Sequence, residues 1–353
     1  MSSGVGLREG ATLAERHLSF REYVEGNPSL KYFFTGGKGG VGKTIAAAGI
    51  AAYFASQGKK TLLASLNPVH SLSSLFEQDL SGGVIKPVGG IDNLYAIEVD
   101  ITERVQRYKE QLAERLRWFL KWADIPVKAD EFIEIASTNP AFEESAMFDA
   151  TVDIILQEGE NYDKIVFDCA AVANAVRLLG LNKIYGMWLA RMIKSREEAL
   201  SLRVKLSFRK EKVMEEIKKD PMMADLLALN EKIKKASSIL GDPSKTAFFF
   251  VTLPLALPIS VVERFIEMVR GFNIAIGGVI VNGVLSRELA ERGTEYLRNK
   301  YMEQQRYLQR IKESMWPLVR AVIPLYETEI VGVDMVRKVS EDLASWTPDK
   351  GFL

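Results

Sequence analysis

The most informative part of this sequence is residues 30–44, which read LKYFFTGGKGGVGKT. A short apolar run enters a cluster of glycines, and an alanine-rich stretch follows over residues 44–57. This order is typical of a β-strand, a loop and an α-helix. The glycine cluster also matches the pattern G-x-x-x-x-G-K-[ST], which gains its meaning from a strand before it and a helix after it. We therefore predict a phosphate-binding loop.

The predicted loop is a site for a nucleotide and Mg²⁺. Glycines let the backbone fold around phosphate oxygens with its N–H groups facing inward, and the following helix presents its positive end. Lys43 is expected to contact the β- and γ-phosphates, and Thr44 is expected to place its hydroxyl on Mg²⁺. A glycine-rich turn without a ligand is the alternative, but it leaves the register of Lys43 and Thr44 unexplained. The expected nucleotide contacts in the loop are Gly37, Gly39, Gly40, Val41, Gly42, Lys43 and Thr44.

Short apolar runs recur along the chain and are mostly separated by helical patterns. This alternation predicts right-handed crossovers and a mainly parallel sheet covered by helices on both faces, the α/β fold of a P-loop NTPase. The predicted strands are residues 30–35, 61–65, 94–99, 164–167, 246–252, 276–281 and 320–325.

Two long stretches interrupt this alternation and show hardly any strand signal. Residues 101–158 and 183–240 contain charged, Met- and Leu-bearing helical sequence. We predict that these two insertions form one all-helical subdomain. The nucleotide-binding core then comprises residues 30–100, 159–182 and 241–353, and residues 1–29 are predicted to be an N-terminal tail with one short helix.

Composition narrows the possible classes of protein. The 353 residues include 46 Lys and Arg against 46 Asp and Glu, one Cys and two His. The balanced charge gives no whole-chain argument for nucleic-acid binding. A single thiol cannot form an internal disulfide, and a charged N-terminus does not resemble a secretory signal, so we expect a cytoplasmic location. The most apolar stretch, residues 247–262, is interrupted by Pro254 and Pro258 and does not look transmembrane.

Several further stretches carry a resemblance to a known family. They are SLNPVHSL at 65–72, NLYAIEVD at 93–100, Asp168 with RLL at 177–179, VN at 281–282 and PLYETEIVG at 324–332. Together with the loop, they resemble the ATPase family that includes the arsenite-pump ATPase and the targeting factor for tail-anchored membrane proteins. The resemblance implies a homodimer that binds Mg·ATP or Mg·ADP.

The resemblance also assigns roles to particular residues. It implies that Lys38, the second lysine of the loop, reaches the nucleotide of the partner subunit; an exposed lysine near anions is the alternative. It implies that Asp168 holds Mg²⁺ through water. It makes Asn282 the candidate adenine contact, with a turn asparagine that ends a strand as the alternative.

Both switch motifs depart from the family pattern. Relatives have an aspartate that orients or activates the attacking water where this chain has Asn67, which keeps a polar amide but no carboxylate. Loss of a positioned base costs on the order of 10² to 10⁴ in rate. The second switch reads DCAAVANAVR at 168–177, where relatives read approximately DTAPTGHTLR. We therefore expect ATP binding to be retained and hydrolysis to be slow or absent.

Two explanations remain for Asn67. It belongs to a natural homologue with weakened hydrolysis, or it is an engineered change that traps ATP. The second switch differs at many positions together, which a single trapping substitution does not explain, and this favours the natural homologue.

The supply of thiols and imidazoles bears on metal chemistry. Cys169 is the only cysteine, whereas arsenite sensing requires several converging thiols. The C-x-x-C pair with which targeting factors share zinc across a dimer is missing, so no zinc is expected. His70 lies in the first switch motif, and His17 is predicted to be a surface residue.

The helical insertions are the candidate site for a client protein. In the targeting branch, helical regions form a Met-rich groove for a transmembrane segment, because methionine adapts to varied apolar partners. Ordinary core packing is the alternative for each methionine. Residues 183–235 also carry 14 Lys and Arg against 8 Asp and Glu, which suggests either a rim for a partner or anionic membrane, or a solvated face. The groove candidates are Met187, Met192, Met214, Met222 and Met223.

These observations predict a cytoplasmic ATPase whose nucleotide state controls the binding of a hydrophobic, tail-anchored segment, with possible partners in a membrane receptor and peripheral contact with a membrane. A non-hydrolysing, ATP-dependent scaffold or regulator that binds a folded partner is the main alternative. A metalloid-pump ATPase subunit is disfavoured by the lone Cys169 and the single nucleotide loop, and a partitioning-type ATPase by the long helical insertions and the late motifs.

Overall fold

The computed structural model describes residues 17–67, 71–122, 141–169, 221–271 and 275–352, with isolated helical positions at 190, 191, 194 and 198. The strands of this part of the chain form one eight-stranded sheet in the order β3-β4-β2-β5-β1-β6-β7-β8. Their bounds are Tyr32–Gly36 (β1), Thr61–Ser65 (β2), Lys86–Pro87 (β3), Leu94–Glu98 (β4), Lys164–Asp168 (β5), Thr246–Thr252 (β6), Ile276–Val284 (β7) and Val319–Pro324 (β8).

Seven of these strands run parallel, and β3 alone pairs antiparallel, against β4. The predicted α/β class with a mainly parallel sheet is thus confirmed. The α-helices of the described residues are Phe20–Gly26 (α1), Lys43–Ser56 (α2), Ser71–Phe76 (α3), Ile101–Trp122 (α4), Ala141–Asp153 (α5), Pro221–Leu240 (α6), Ala256–Gly271 (α7), Arg287–Arg292 (α8), Glu295–Met315 (α9) and Val333–Ser345 (α10).

Alternate residues of the central strands face two separate apolar layers, as the period of a strand requires. Phe34 of β1 stacks on Phe167 of β5, with ring centroids 4.5 Å apart, and lies in the layer that α7 and α9 cover. Its neighbour Phe33 faces the opposite layer, which α2 and α10 cover. The strands are apolar on both faces because both faces are buried.

Small residues on α2 let it lie deep in its layer. A Cβ on Gly49 would come within 2.8 Å of the side chain of Val339 in α10, so these two helices touch almost backbone to side chain. The helix is alanine-rich, and its residues from Ala46 to Ala55 are buried. The close fit holds α2 against α10, and the glycine-rich loop lies directly before α2.

The strand predictions are largely correct. The bounds of β2 and β6 agree with the sequence prediction, and the other predicted strands differ by one to three residues at an end. Strand β3 was not predicted, because two residues that include a proline carry no apolar signal. Helix α2 begins and ends one residue earlier than predicted.

Helices of the two insertions pack against each other. Lys232 of α6 contacts Asp149 at 2.6 Å and Asp153 at 2.7 Å, both on α5, and Arg104 of α4 contacts Asp153 at 2.9 Å. Phe148, Val152, Ile233 and Ala236 form a small buried cluster between α5 and α6. Within the described part of the chain, none of the helices combines the length and the apolarity needed to span a bilayer.

The described part of the predicted tail, residues 17–29, packs against the core. Phe20 of α1 is fully buried and meets Phe249 of β6 edge to face at 5.6 Å. The helix begins with a capping box, in which the Ser19 amide donates to the Glu22 carboxylate at 2.9 Å and the Glu22 amide donates to the Ser19 hydroxyl at 3.2 Å. This packing was not predicted from the sequence, because few apolar residues of the segment take part in it.

The prediction that His17 is a surface residue is wrong. Its ring is half-buried against Trp316 and Trp346, with centroids 4.8 Å and 5.9 Å away, and Nε2 donates to the carbonyl of Val319 at 2.7 Å. Beside it, the buried Arg320 donates from Nη1 to the carbonyl of Leu18 at 2.9 Å. The segment before α1 therefore covers the edge strand β8.

The environment of His17 predicts a pH-dependent stability. Burial lowers the pKa of its imidazole below the ordinary 6.5, and Arg320 acts in the same direction, while the Val319 carbonyl and Glu22 oppose them. As the pH is lowered, His17 is protonated in the unfolded chain at a higher pH than in the folded protein. The stability contributed by neutral His17 is therefore present above pH 6.5 and is lost as the pH falls below it. Urea unfolding at pH 7.5 and 5.5 should show a smaller drop for His17→Gln than for the wild type. Equal drops in both proteins would contradict this assignment.

Candidate functional site

The glycine-rich loop joins β1 to α2 at the carboxyl edge of the sheet. Gly37 lies directly against β6, where a Cβ would collide with the carbonyl oxygen of Val251. Gly40 and Gly42 have φ angles of +77° and +90°, which favour glycine, and a Cβ at Gly39 or Gly40 would meet open space. The loop is therefore held tightly on its β6 side and is open where a phosphate would lie.

The two lysines of the loop occupy different environments. The ammonium of Lys43 is buried and donates to the carbonyl of Lys38 at 3.3 Å. Burial lowers the pKa of Lys43, while Asp168 nearby opposes that shift. Lys38 itself is exposed. Lys43 thus faces into the loop, and the side chain of Lys38 is accessible from outside.

Thr44 and Asp168 meet, as the prediction of a shared Mg²⁺ site requires. The Thr44 hydroxyl donates to Oδ2 of Asp168 at 2.7 Å, and the Ser65 hydroxyl lies 3.4 Å from the same oxygen. The other carboxylate oxygen, Oδ1, is buried without a hydrogen-bond partner among the described residues. Burial raises the pKa of Asp168 to about 6, against the hydrogen bond from Thr44 and the charge of Lys43.

An orphaned carboxylate oxygen beside a threonine hydroxyl fits a hard cation that prefers oxygen ligands. Thr44 would bind Mg²⁺ directly, and Asp168 would hold it through water. The cation, when bound, would neutralise charge on the β- and γ-phosphates. These two residues stand at the ends of different elements, α2 and β5, which the sheet brings together.

Asn67 of the first switch follows β2 at the same edge. Its backbone N–H donates to the Ser65 hydroxyl at 3.3 Å, and the backbone N–H of Leu66 donates to the Asp168 carbonyl at 2.9 Å. The start of the switch is thus tied to the strand that carries Asp168. His70 and the second switch beyond Cys169 lie outside the described residues, so the predicted helix start there stays a prediction.

Asn282 lies in β7, buried against the glycine-rich loop. Its Nδ2 donates to the carbonyl of Val41 at 2.9 Å, and a Cβ on Gly42 would collide with that nitrogen. The structure therefore places Asn282 at the loop backbone, while its contact with adenine remains a prediction. Leu325, in the late motif, is exposed, and its amide donates to the carbonyl of Val284, two residues after Asn282, at 2.8 Å.

Sequence reasoning missed Gln304 on α9. Its side chain is buried, accepts from the amide of Leu285 at 2.9 Å and donates to the carbonyl of Gly283 at 3.0 Å. It therefore fixes the backbone directly after Asn282. A signal was present, because Gln304 shares the helical spacing of the buried Leu308, which makes it a polar residue on an apolar stripe.

The groove candidates are not brought together by the described residues. Met187, Met192 and Met214 lie outside them. Met222 and Met223 belong to the first turn of α6, but their side chains are not among those described. The client site therefore stays a prediction.

Comparison with known proteins agrees with this geometry. The sequence profile of the anion-transporting ATPase family matches residues 30–345, which is most of the chain. The chain belongs to this family. The match includes the glycine-rich loop, both switch regions and the late motif near Leu325, so the predicted resemblance and the predicted ATPase class are confirmed.

Individual relatives span nearly the whole chain. ATPase GET3C of Arabidopsis thaliana is 32% identical over 346 residues, covering 94% of this chain and 86% of its own. ATPase ASNA1 homolog 2 of Paramecium tetraurelia is 29% identical over 317 residues, covering 89% of this chain and 94% of its own. A protein of Aquifex aeolicus, named provisionally as an arsenical pump-driving ATPase, is 28% identical and covers 89% of this chain and 99% of its own.

Proposed function

We propose that this family member is a homodimeric, cytoplasmic ATPase in which the bound nucleotide controls capture of a hydrophobic, tail-anchored segment of a client protein. The observation that carries the proposal is the pair of loop lysines. Lys43 is buried toward the phosphate position, while Lys38 is exposed at the rim of the same loop. An exposed ammonium there can reach a phosphate that belongs to a second copy of the chain.

The packing of the insertions supports one client-binding unit. Lys232 of α6 joins Asp149 and Asp153 of α5 by ion pairs, so a helix of the second insertion is held against a helix of the first. Met222 stands ten residues before Lys232 on the same helix, about 15 Å along its axis at 1.5 Å per residue. Met222 and Met223 therefore belong to the end of α6 that is opposite the end leading into β6.

Asn67 favours a second candidate function. A chain that binds Mg·ATP but turns it over slowly can act as a scaffold or regulator that is locked in one state. The two functions differ in what the insertions bind, a transmembrane segment or a folded protein. Direct binding measurements separate them.

Two experiments test the proposal, the first for the dimer and the second for the client segment. Sedimentation velocity with Mg·ATP should show a dimer for the wild type, and Lys38→Ala should weaken the nucleotide-dependent association. Lys59→Ala, which removes another exposed lysine between α2 and β2, at the other end of α2 from the loop, is the matched control. A dimer that is equally stable in Lys38→Ala would contradict the role of Lys38.

In the second arm, a transmembrane peptide with a photoreactive residue should crosslink to the insertions. The double variant Met222→Ser and Met223→Ser should reduce the crosslinking, while Met302→Ser should not, since Met302 is an exposed methionine on α9 of the core. Unchanged crosslinking in the double variant would remove these methionines from the groove. Crosslinking to a folded partner instead of the peptide would favour the scaffold.

A further inference from the structure

A buried carboxylate outside the predicted site contacts the first switch. Glu98 is the last residue of β4 and is only 2% exposed. Its Oε1 accepts from the amides of Leu72 at 2.7 Å and Ser73 at 2.8 Å, and its Oε2 accepts from the Ser73 hydroxyl at 2.7 Å. A carboxylate so deeply buried is destabilising unless its oxygens accept hydrogen bonds, and hydrogen bonds to a charged group are stronger than those between neutral groups. Glu98 is thus held firmly to the start of α3.

Helix α3 begins at Ser71, at the carboxyl end of the stretch 65–72 that contains Asn67. Leu72, the second residue of α3, is fully buried, so the helix cannot shift without disturbing the core. The carboxyl end of the switch is therefore anchored by Glu98 through α3.

The amino end of the same segment is anchored separately. The amide of Leu66 donates to the Asp168 carbonyl at 2.9 Å, and the Ser65 hydroxyl lies 3.4 Å from the Ser71 hydroxyl. The two anchors leave only a few residues between them, and Asn67 is one of these. The direction in which residue 67 presents its side chain consequently depends on both ends.

We infer that Glu98 is a positioning residue for the first switch, which sets where the side chain at position 67 meets the attacking water. Within the described part of the chain, Glu98 accepts hydrogen bonds from the Leu72 and Ser73 amides and the Ser73 hydroxyl, and it acts through α3. The inference rests on the proposed function to the extent that position 67 takes part in ATP hydrolysis. Small displacements of a positioned group cost up to about 10²-fold in rate.

The test combines Glu98 with position 67. Glu98→Ala should lower kcat of the Asn67→Asp protein by about tenfold to a hundredfold with little change in KM. In the Asn67 background, where no carboxylate needs positioning, the same change should lower kcat less than about threefold. Glu98→Gln should restore most of the loss, because its amide oxygen can accept both N–H groups and its NH₂ can donate to the Ser73 hydroxyl.

Glu22→Gln is the matched control. Glu22 also accepts from the N-terminal end of a helix, through the Ser19 amide at 2.9 Å and the Ser19 hydroxyl at 3.0 Å, but it lies on α1, away from the switch. Glu22→Gln should leave kcat in both backgrounds unchanged. Equal losses from Glu98→Ala in both backgrounds would show a merely structural role and overturn the inference, as would no loss in either.

Amide hydrogen exchange separates this inference from the proposed function. If Asn67→Asp gains no hydrolysis, the role of position 67 fails, but Glu98 can still be judged. Glu98→Gln and Glu98→Ala should both speed exchange in a peptide covering residues 66–76, Glu98→Ala by tenfold or more, with α2 unchanged. Unchanged exchange in that peptide would overturn the anchoring itself.

Discussion

Replacing Asn67 by aspartate is expected to raise kcat for ATP hydrolysis by on the order of 10² to 10⁴. The amide of Asn67 can hold a water through its oxygen but cannot usefully accept a proton, whereas a carboxylate can. The backbone of Asn67 is already tied to Ser65, and Ser65 lies 3.4 Å from the Asp168 carboxylate, so a new carboxylate would enter a preformed site. Single-turnover hydrolysis of Mg·ATP measures the gain, and KM should change little because the phosphates bind to the loop.

The matched control is Asn161→Asp, an equivalent change at an exposed position before β5, which should leave kcat unchanged. The size of the gain in kcat also shows whether the first switch alone or both switches limit turnover. A gain of 10² or more would mean that Asn67 alone limits turnover. A small gain would mean that the altered second switch also limits it, and a wild type that already hydrolyses ATP as fast as the variant would refute our account of Asn67.

Replacing Lys43 by methionine should abolish nucleotide binding without unfolding the protein. At a nucleotide concentration of about 100 times Kd, binding stabilises the folded state by about 2.7 kcal/mol. Loss of the charged hydrogen bonds from Lys43 to two phosphates, at about 1.5 to 3 kcal/mol each, should remove most of this. Because burial already lowers the pKa of Lys43, an apolar side chain of similar length should fit, and the Tm without nucleotide should not fall.

Thermal unfolding with and without Mg·ATP checks both halves of this prediction. Lys245→Met serves as the matched control, since Lys245 is exposed and pairs with Asp242 at 3.3 Å, away from the loop. That variant should keep the full nucleotide-dependent rise in Tm. A persistent rise in Lys43→Met would show that the loop does not bind phosphate as proposed, and a marked fall in its Tm without nucleotide would contradict the argument from burial.

Much of the fold was predictable because local patterns carried it. Strands β2 and β6 are apolar runs bounded by polar or turn residues, and their ends followed from sequence alone. Strand β3 was not predictable, since Lys86–Pro87 has no apolar run and exists only by pairing with β4. The packing of residues 17–29 was missed for a related reason. Phe20 and Val24 are the two buried residues of α1, and two residues are too few to establish a helical period.

The candidate site divides in the same way. The glycine-rich loop and Asp168 were predictable, because each stands directly after an apolar run that ends at one edge of a parallel sheet. Glu98 was not predictable, and Gln304 gave only the weak signal of a polar residue on an apolar stripe. Their partners are backbone groups 19 to 26 residues away along the chain, and only the folded sheet brings those groups within 3 Å. Residues that position a site leave weaker traces in a sequence than residues that form it.

The contacts of His17 and Arg320 cover one of the two edge strands of the sheet. Edge strands carry unpaired N–H and C=O groups, which template aggregation. On β8 the carbonyl of Val319 is bonded to His17, and Arg320 ties Leu18 across the same strand. At the other edge, β3 is two residues long and includes Pro87, which cannot donate a hydrogen bond. Both edges therefore resist the addition of a further strand from another copy of the chain.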